Sequence, residues 1–223
     1  MSSPWKTIWT SPRETIASIV ARNPNEGLWA LAAIYGFSGL LNIFQSLLLG
    51  YKLSILPILL LAAILSPFWG YLLFSLFSWI IYITGKWIKG AASYKGVRAA
   101  YAWSSAPLLV NIPLWLFLAF LLRERLFTDL AQETFLTDSQ IALIFLIFLA
   151  RLVIAIWSLV LYINALAEVQ QFTVLRTIGN IVLGFIAMVA ALYLLVFIAY
   201  ALNWVQVDHK TVFYLIDQTV RIR

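Results

Sequence analysis

Residues 55–84 read ILPILLLAAILSPFWGYLLFSLFSWIIYIT, a stretch with no Asp, Glu, Lys, Arg or His. As an α-helix it would reach about 45 Å, well beyond the roughly 30 Å of a bilayer's hydrocarbon. Its apolar residues run continuously, without the dyad alternation of an outer-membrane strand, so it predicts a membrane-spanning helix. The excess length has to be absorbed by tilt, by projection into the interface, or by a bend near Pro67 and Gly70. We expect a bend plus projection, and the unbroken apolar character favours this over two re-entrant halves.

Outward from this stretch, four more apolar runs are long enough to span: Leu28–Leu49, Ser104–Leu122, Ile141–Ala165 and Ile178–Leu202. Over the whole chain, 63% of residues are hydrophobic and 11% charged, against roughly a quarter charged in soluble domains. Lipid must be the main solvent. The expected fold is all-α, a polytopic transmembrane bundle of about five spans with short amphipathic interfacial helices. The expected organisation is a cytoplasmic lead-in over 1–27, a five-helix membrane domain over 28–202 and an external tail over 203–223. Pro4, Pro12 and Pro24, with charges between them, leave no short apolar core for a cleavable signal peptide.

Orientation follows from the short loops. Lys6, Arg13 and Arg22 precede the first span, and Lys86, Lys89, Lys95 and Arg98 lie between spans two and three. The loop after span one has only Lys52. Arg123 and Arg125 after span three are diluted by Glu124, Asp129, Glu133 and Asp138. A cytoplasmic amino terminus is expected, although Lys210, Arg221 and Arg223 in the tail oppose the bias.

Ser11-Pro12-Arg13-Glu14 reads as a helix start, with Ser11 as cap, Pro12 first and Glu14 closing a capping box. Ile16, Ile19 and Val20 share a face, so an amphipathic helix lying on the cytoplasmic leaflet is expected. In Gly85–Trp103, cations alternate with Trp87, Tyr94, Tyr101 and Trp103. This pattern suits a basic loop at headgroup depth, with Lys86, Lys89, Lys95 and Arg98 as candidate contacts to anionic lipid. Such interleaving also occurs in nucleic-acid binders, but flanking spans tie this loop to a membrane, so no nucleic acid is expected. A docking surface for a protein partner is the alternative.

Catalytic chemistry finds little support. Gly36-Phe37-Ser38-Gly39 matches the GxSG signature around the serine of rhomboid-type intramembrane proteases. Such a serine needs a base, and the single histidine, His209, falls in the tail. Gly36 and Ser38 read better as packing residues, Ala32 and Gly36 forming a small-xxx-small pair for a neighbouring helix. The spans hold no carboxylate pair, and HExxH, a Walker loop and a dinucleotide fingerprint are all missing. With no cysteine and no ligand cluster, neither metal nor cofactor is implied.

Arg151, about ten residues into the fourth span, is costly there, by about 2.5–3.5 kcal/mol. Ser158 and Tyr162 fall on its helix face, making a polar stripe that should point into the bundle. No acid lies in another span to neutralise it. Candidate partners are Asn111 beside Pro113, Asn42, Gln45, or an inward-drawn lipid phosphate. Pro107 and Pro113 should kink span three and free carbonyls that Arg151 could contact. Arg151, Ser158, Tyr162 and Asn111 thus form the candidate intramembrane polar site.

Three segments resemble the Yip family, Ypt/Rab-interacting membrane proteins whose shared domain has five transmembrane helices. They are WKTIWTSPRETIASIVARNP (Trp5–Pro24), SYKGVRAAYAWSSAPLLV (Ser93–Val110) and IWSLVLYINALAEVQQFTVLRTIGN (Ile156–Asn180). The likeness covers most of the chain. It implies a cytoplasmic amino terminus and a non-enzymatic role. Eukaryotic relatives are associated with Rab-type GTPases and vesicle traffic, and this chain lacks their long cytoplasmic amino-terminal region. It looks more like the short bacterial members, which implies a bacterial inner membrane.

The combined expectation is a non-enzymatic membrane protein that organises anionic lipids, or a membrane or cytoplasmic protein partner, through its basic cytoplasmic face, with self-association open to it. The rival is a transporter or lipid-translocating protein with a polar path at Arg151.

Overall fold

The computed structural model describes residues 3–129 and 136–202. Eight α-helices are found there: α1 (Pro4–Thr7), α2 (Pro12–Arg22), α3 (Leu28–Ser46), α4 (Ile55–Trp87), α5 (Tyr94–Ser104), α6 (Asn111–Leu122), α7 (Asp138–Gln170) and α8 (Val174–Ala201). Short 3-10 turns cover Leu49–Tyr51, Ala106–Val110 and Arg123–Phe127, and the described residues contain no strand. Five segments are long and apolar enough to cross a membrane: Leu28–Ser46, Ile55–Trp87, Tyr94–Phe127, Asp138–Gln170 and Val174–Ala201. The chain is a multi-pass integral membrane protein of the all-α class.

The charge-free stretch is one helix of 33 residues, uninterrupted at Pro67 and not split into re-entrant halves. Proline lacks the N–H that would bond the Ala63 carbonyl. The neighbouring Ser66 hydroxyl donates to that carbonyl at 2.9 Å instead, so no backbone acceptor is stranded in hydrocarbon. The excess length projects past Thr84 to Trp87.

Small residues set the packing of α3 on α4, the most extensive helix pair. A Cβ on Gly36 would overlap the Ser66 carbonyl oxygen, and one on Gly70 would overlap the Ala32 carbonyl. Ala32 and Gly36 therefore mesh with Ser66 and Gly70, two small-xxx-small pairs that bring the backbones together.

The third span differs from expectation. The segment read as a basic loop is mostly helical, since α5 starts at Tyr94, with the Ser93 hydroxyl accepting from the Gly96 N–H at 3.2 Å. The expected kink is a full break, α5 giving way at Ser105 to the 3-10 turn that holds Pro107, and then to α6. The hydroxyls of Ser104 and Ser105 donate back to the carbonyls of Tyr101 and Ala102 at the break.

Helix α2 is also corrected. Its start is at Pro12, but Ser11 makes no side-chain cap bond; its carbonyl accepts from the Thr15 N–H and hydroxyl. Its apolar face does not rest on lipid. Ile16 and Ile19 are fully buried in one cluster with Ile8, Ala100, Trp103 and Ala165, and α2 packs on α5 and α7. Protein atoms offer close-packed partners that an interfacial lipid layer does not.

A Thr137–Gln140 capping box starts α7, and the positive φ of Gln171 ends it. The chain divides into two compact units, Met1–Ile181 and Val182–Arg223. In the first, α2, the 88–93 turn and the 171–173 turn share one end; the turns after α3 and α6 share the other, where Gln45 Nε2 donates to the Leu126 carbonyl at 3.0 Å. The described part of the second is the continuation of α8 to Ala201. The expected external tail and His209 lie outside the described residues.

Candidate functional site

Two places in the first unit gather polar groups without obvious structural need: the basic end, and the neighbourhood of Arg151.

At the basic end, a buried amide knot holds the α4–α5 turn against α7 and the start of α8. The Gln170 carbonyl accepts from the Ala91 N–H at 3.2 Å. Its amide side chain is buried against Gly85 and Gly90, where any Cβ would strike it. The Thr84 hydroxyl donates to Asn180 Oδ1 at 2.9 Å, and Asn180 Nδ2 donates to the Ile81 carbonyl at 3.3 Å. The Lys86 ammonium donates to the Gly90 carbonyl at 3.0 Å and lies over the Tyr82 ring. Arg176 donates to the Ile88 carbonyl. Sequence reasoning missed this knot; lone amides in apolar helices, Gln170 and Asn180, were its available signal.

Lys86, Lys89 and Lys95 are exposed here, as are Lys6, Arg13, Arg22 and Arg176. The one ion pair found at this end among the described residues is Arg22–Glu26. Arg98, expected to face headgroups, departs from this group. It is 8% exposed, donates to the Tyr71 hydroxyl at 3.0 Å and Asn25 Oδ1 at 2.8 Å, and lies over the rings of Tyr71 and Tyr94. Helix α5, absent from the sequence reading, turns it inward, where it ties the lead-in to the bundle.

Between α3, α6 and α7, Arg151 Nη2 donates to Asn42 Oδ1 at 3.3 Å. Its guanidinium lies 4.4 Å over the Trp115 ring. Neither Asn111 nor a proline-freed carbonyl is its partner. Asn111 is buried one helical turn before Trp115 on α6, its Oδ1 unpartnered. Tyr162 is buried and packs on Tyr101 with ring centroids 5.1 Å apart, while the Ser158 hydroxyl is buried without a partner. The stripe's members therefore sit at successive levels of α7 and do not converge on one point. Trp115, whose ring lies beneath the cation, was not among those expected.

The levels between Arg151 and Arg98 are filled with rings. Tyr101 contacts Phe74, Phe77 and Tyr162, and its hydroxyl shares a 3.1 Å hydrogen bond with that of Tyr35. Ser38 is buried, and its hydroxyl carries no hydrogen bond. Among the described residues there is no group of three or more His, Cys, Asp or Glu that could hold a metal ion.

A family model described as the Yip1 domain matches residues 6–198. No curated protein and no solved structure matches the chain.

Proposed function

Since the chain belongs to the Yip family, a non-catalytic family of membrane proteins, we propose that it is itself non-catalytic and gathers anionic lipid headgroups at its basic end. In this reading that end faces the cytoplasm of a bacterial cell, and the protein sits in the inner membrane. The observation that carries the proposal is the set of exposed cations Lys86, Lys89 and Lys95, none in an ion pair among the described residues, at the end of α4, on the following turn and at the start of α5, around the Gln170–Gly85–Gly90 knot. Each such cation near an anionic surface contributes about 1 kcal/mol. The other end has Lys52, Arg123 and Arg125 against Glu124, Asp129 and Asp138 among its described residues, so it has no comparable excess.

The ring-filled interior supports this reading over transport, because a polar path from Arg151 would have to pass the buried rings of Phe74 and Tyr162 and the partly buried ring of Tyr101 between them. The test is reconstitution in nanodiscs of mixed phosphatidylglycerol and phosphatidylcholine, followed by quantifying the lipids retained. Wild type should enrich phosphatidylglycerol in a salt-sensitive way, and the Lys86→Gln, Lys89→Gln, Lys95→Gln triple variant should lose most of that enrichment. Equal lipid composition around both proteins would overturn the proposal and leave a protein partner as the occupant of this face.

A further inference from the structure

Among the described residues, Arg151 has no ion-pair partner. None of the five apolar runs read from the sequence contains Asp or Glu, and the one hydrogen bond of its guanidinium among the described residues goes to a neutral amide at 3.3 Å, beyond the usual 2.7–3.2 Å range for N–H donors. A guanidinium has five N–H groups, so most of its donating capacity is unfilled. Beneath it, Trp115 is 1% exposed, and its indole N–H is buried without an acceptor. The ring stack sets these two needs side by side. Both are met by an acceptor carrying negative charge, and neither by a cation or a neutral donor.

Geometry indicates how such an acceptor arrives. Helical side chains lean toward the helix amino terminus, and α7 begins at the end opposite the basic turns. The guanidinium is thereby carried from mid-span to the level of Asn42, one turn before α3 ends at Ser46. Arg151 is only half-buried and Asn42 is exposed, so the cation is reachable sideways from the bilayer.

We propose that Arg151 and Trp115 form an intramembrane phosphate site, filled by the headgroup of a phospholipid in the leaflet opposite the basic face. The free edge of the guanidinium takes phosphate oxygens in charge-assisted hydrogen bonds, and the indole N–H takes another. Asn42 holds the guanidinium by its remaining edge; its own amide nitrogen donates to the Ser38 carbonyl at 2.8 Å, which orients the accepting oxygen. This site goes beyond the lysine face and stands apart from it, at the other end of the helices.

The test is native mass spectrometry of the full chain in mild detergent, titrated with phosphatidylglycerol and, separately, with diacylglycerol, which has the tails but no phosphate. Wild type should retain one tightly held phosphatidylglycerol and no diacylglycerol. Arg151→Gln should weaken that lipid at least tenfold, and the triple lysine variant should leave it bound. Trp115→Phe keeps the stacked ring but removes the N–H, so it should weaken binding several-fold even if Arg151→Gln fails to fold. Displacement by millimolar inorganic phosphate would support the same site with a free anion as occupant; resistance to it would support the lipid headgroup. Unchanged phosphatidylglycerol affinity in Arg151→Gln or in Trp115→Phe would overturn the proposal.

Discussion

Replacing Gly36 by Ala adds one methyl group at a point of close backbone approach between α3 and α4. The new Cβ would overlap the Ser66 carbonyl oxygen and stand 2.8 Å from the Gly70 amide nitrogen. Both obstacles are backbone, so no side chain can rotate away, and the helices must part by roughly 1 Å. A gap of that size forfeits about a quarter to a half of each contact's dispersion energy. It also loosens the close C–H···O contacts typical of such pairs, about 0.5–1 kcal/mol each. Overpacking on this scale costs about 1–3 kcal/mol, and backbone obstruction puts Gly36→Ala at the upper end. Alanine's better helix propensity returns about 1 kcal/mol. The net expectation is a loss of about 2 kcal/mol, a factor of roughly 30 in the unfolding equilibrium. Gly39→Ala, three residues away, is the internal control: its Cβ would meet Trp69 Nε1 at an ordinary 3.5 Å, so it should be neutral or slightly stabilising. Steric trapping in bicelles measures both. If Gly36→Ala proves as stable as Gly39→Ala, the close-packed α3–α4 interface is wrong.

Three further outcomes follow from the same contacts. Ile16→Ala empties a fully buried position and should cost about 2–5 kcal/mol of docking, read as faster limited proteolysis near residues 1–27; unchanged cleavage would return α2 to the lipid surface. Arg98→Leu removes the charged donor to Asn25 and Tyr71 and should loosen the same lead-in by about 1.5–3 kcal/mol, with Arg98→Lys falling between when amide exchange of α2 is followed. Thr84→Val removes the donor to Asn180 Oδ1 and should destabilise the protein by about 1–2 kcal/mol without changing its lipid content; stability equal to wild type would mean that this knot does not hold the turn.

Hydropathy alone carried the span count, the helical class and the small-residue seam. Lipid leaves no choice but continuous helices in long apolar runs, and Ala32-xxx-Gly36 announces a close neighbour whichever helix supplies it. Periodicity could not say that Ser66 and Gly70 were that neighbour, nor that a hydroxyl would repair the carbonyl left open by Pro67. The face of Ile16 and Ile19 was legible as apolar, but an apolar face fits lipid and protein equally well, and only the packing of α2 on α5 and α7 chose between them. Arg98 was misjudged for a related reason: reading Gly85–Trp103 as a loop left its side chain free, whereas a helix directs it inward among Tyr71, Tyr94 and Asn25.

By itself, then, the order of residues determined that five segments can cross a membrane as helices, because transfer of a segment into hydrocarbon depends on its own length and polarity. Tertiary structure alone decided which cations remain exposed and which are enclosed, and which ring lies against Arg151. Those outcomes depend on groups far apart in the chain meeting at ångström distances, and a one-dimensional pattern has no measure of such distances.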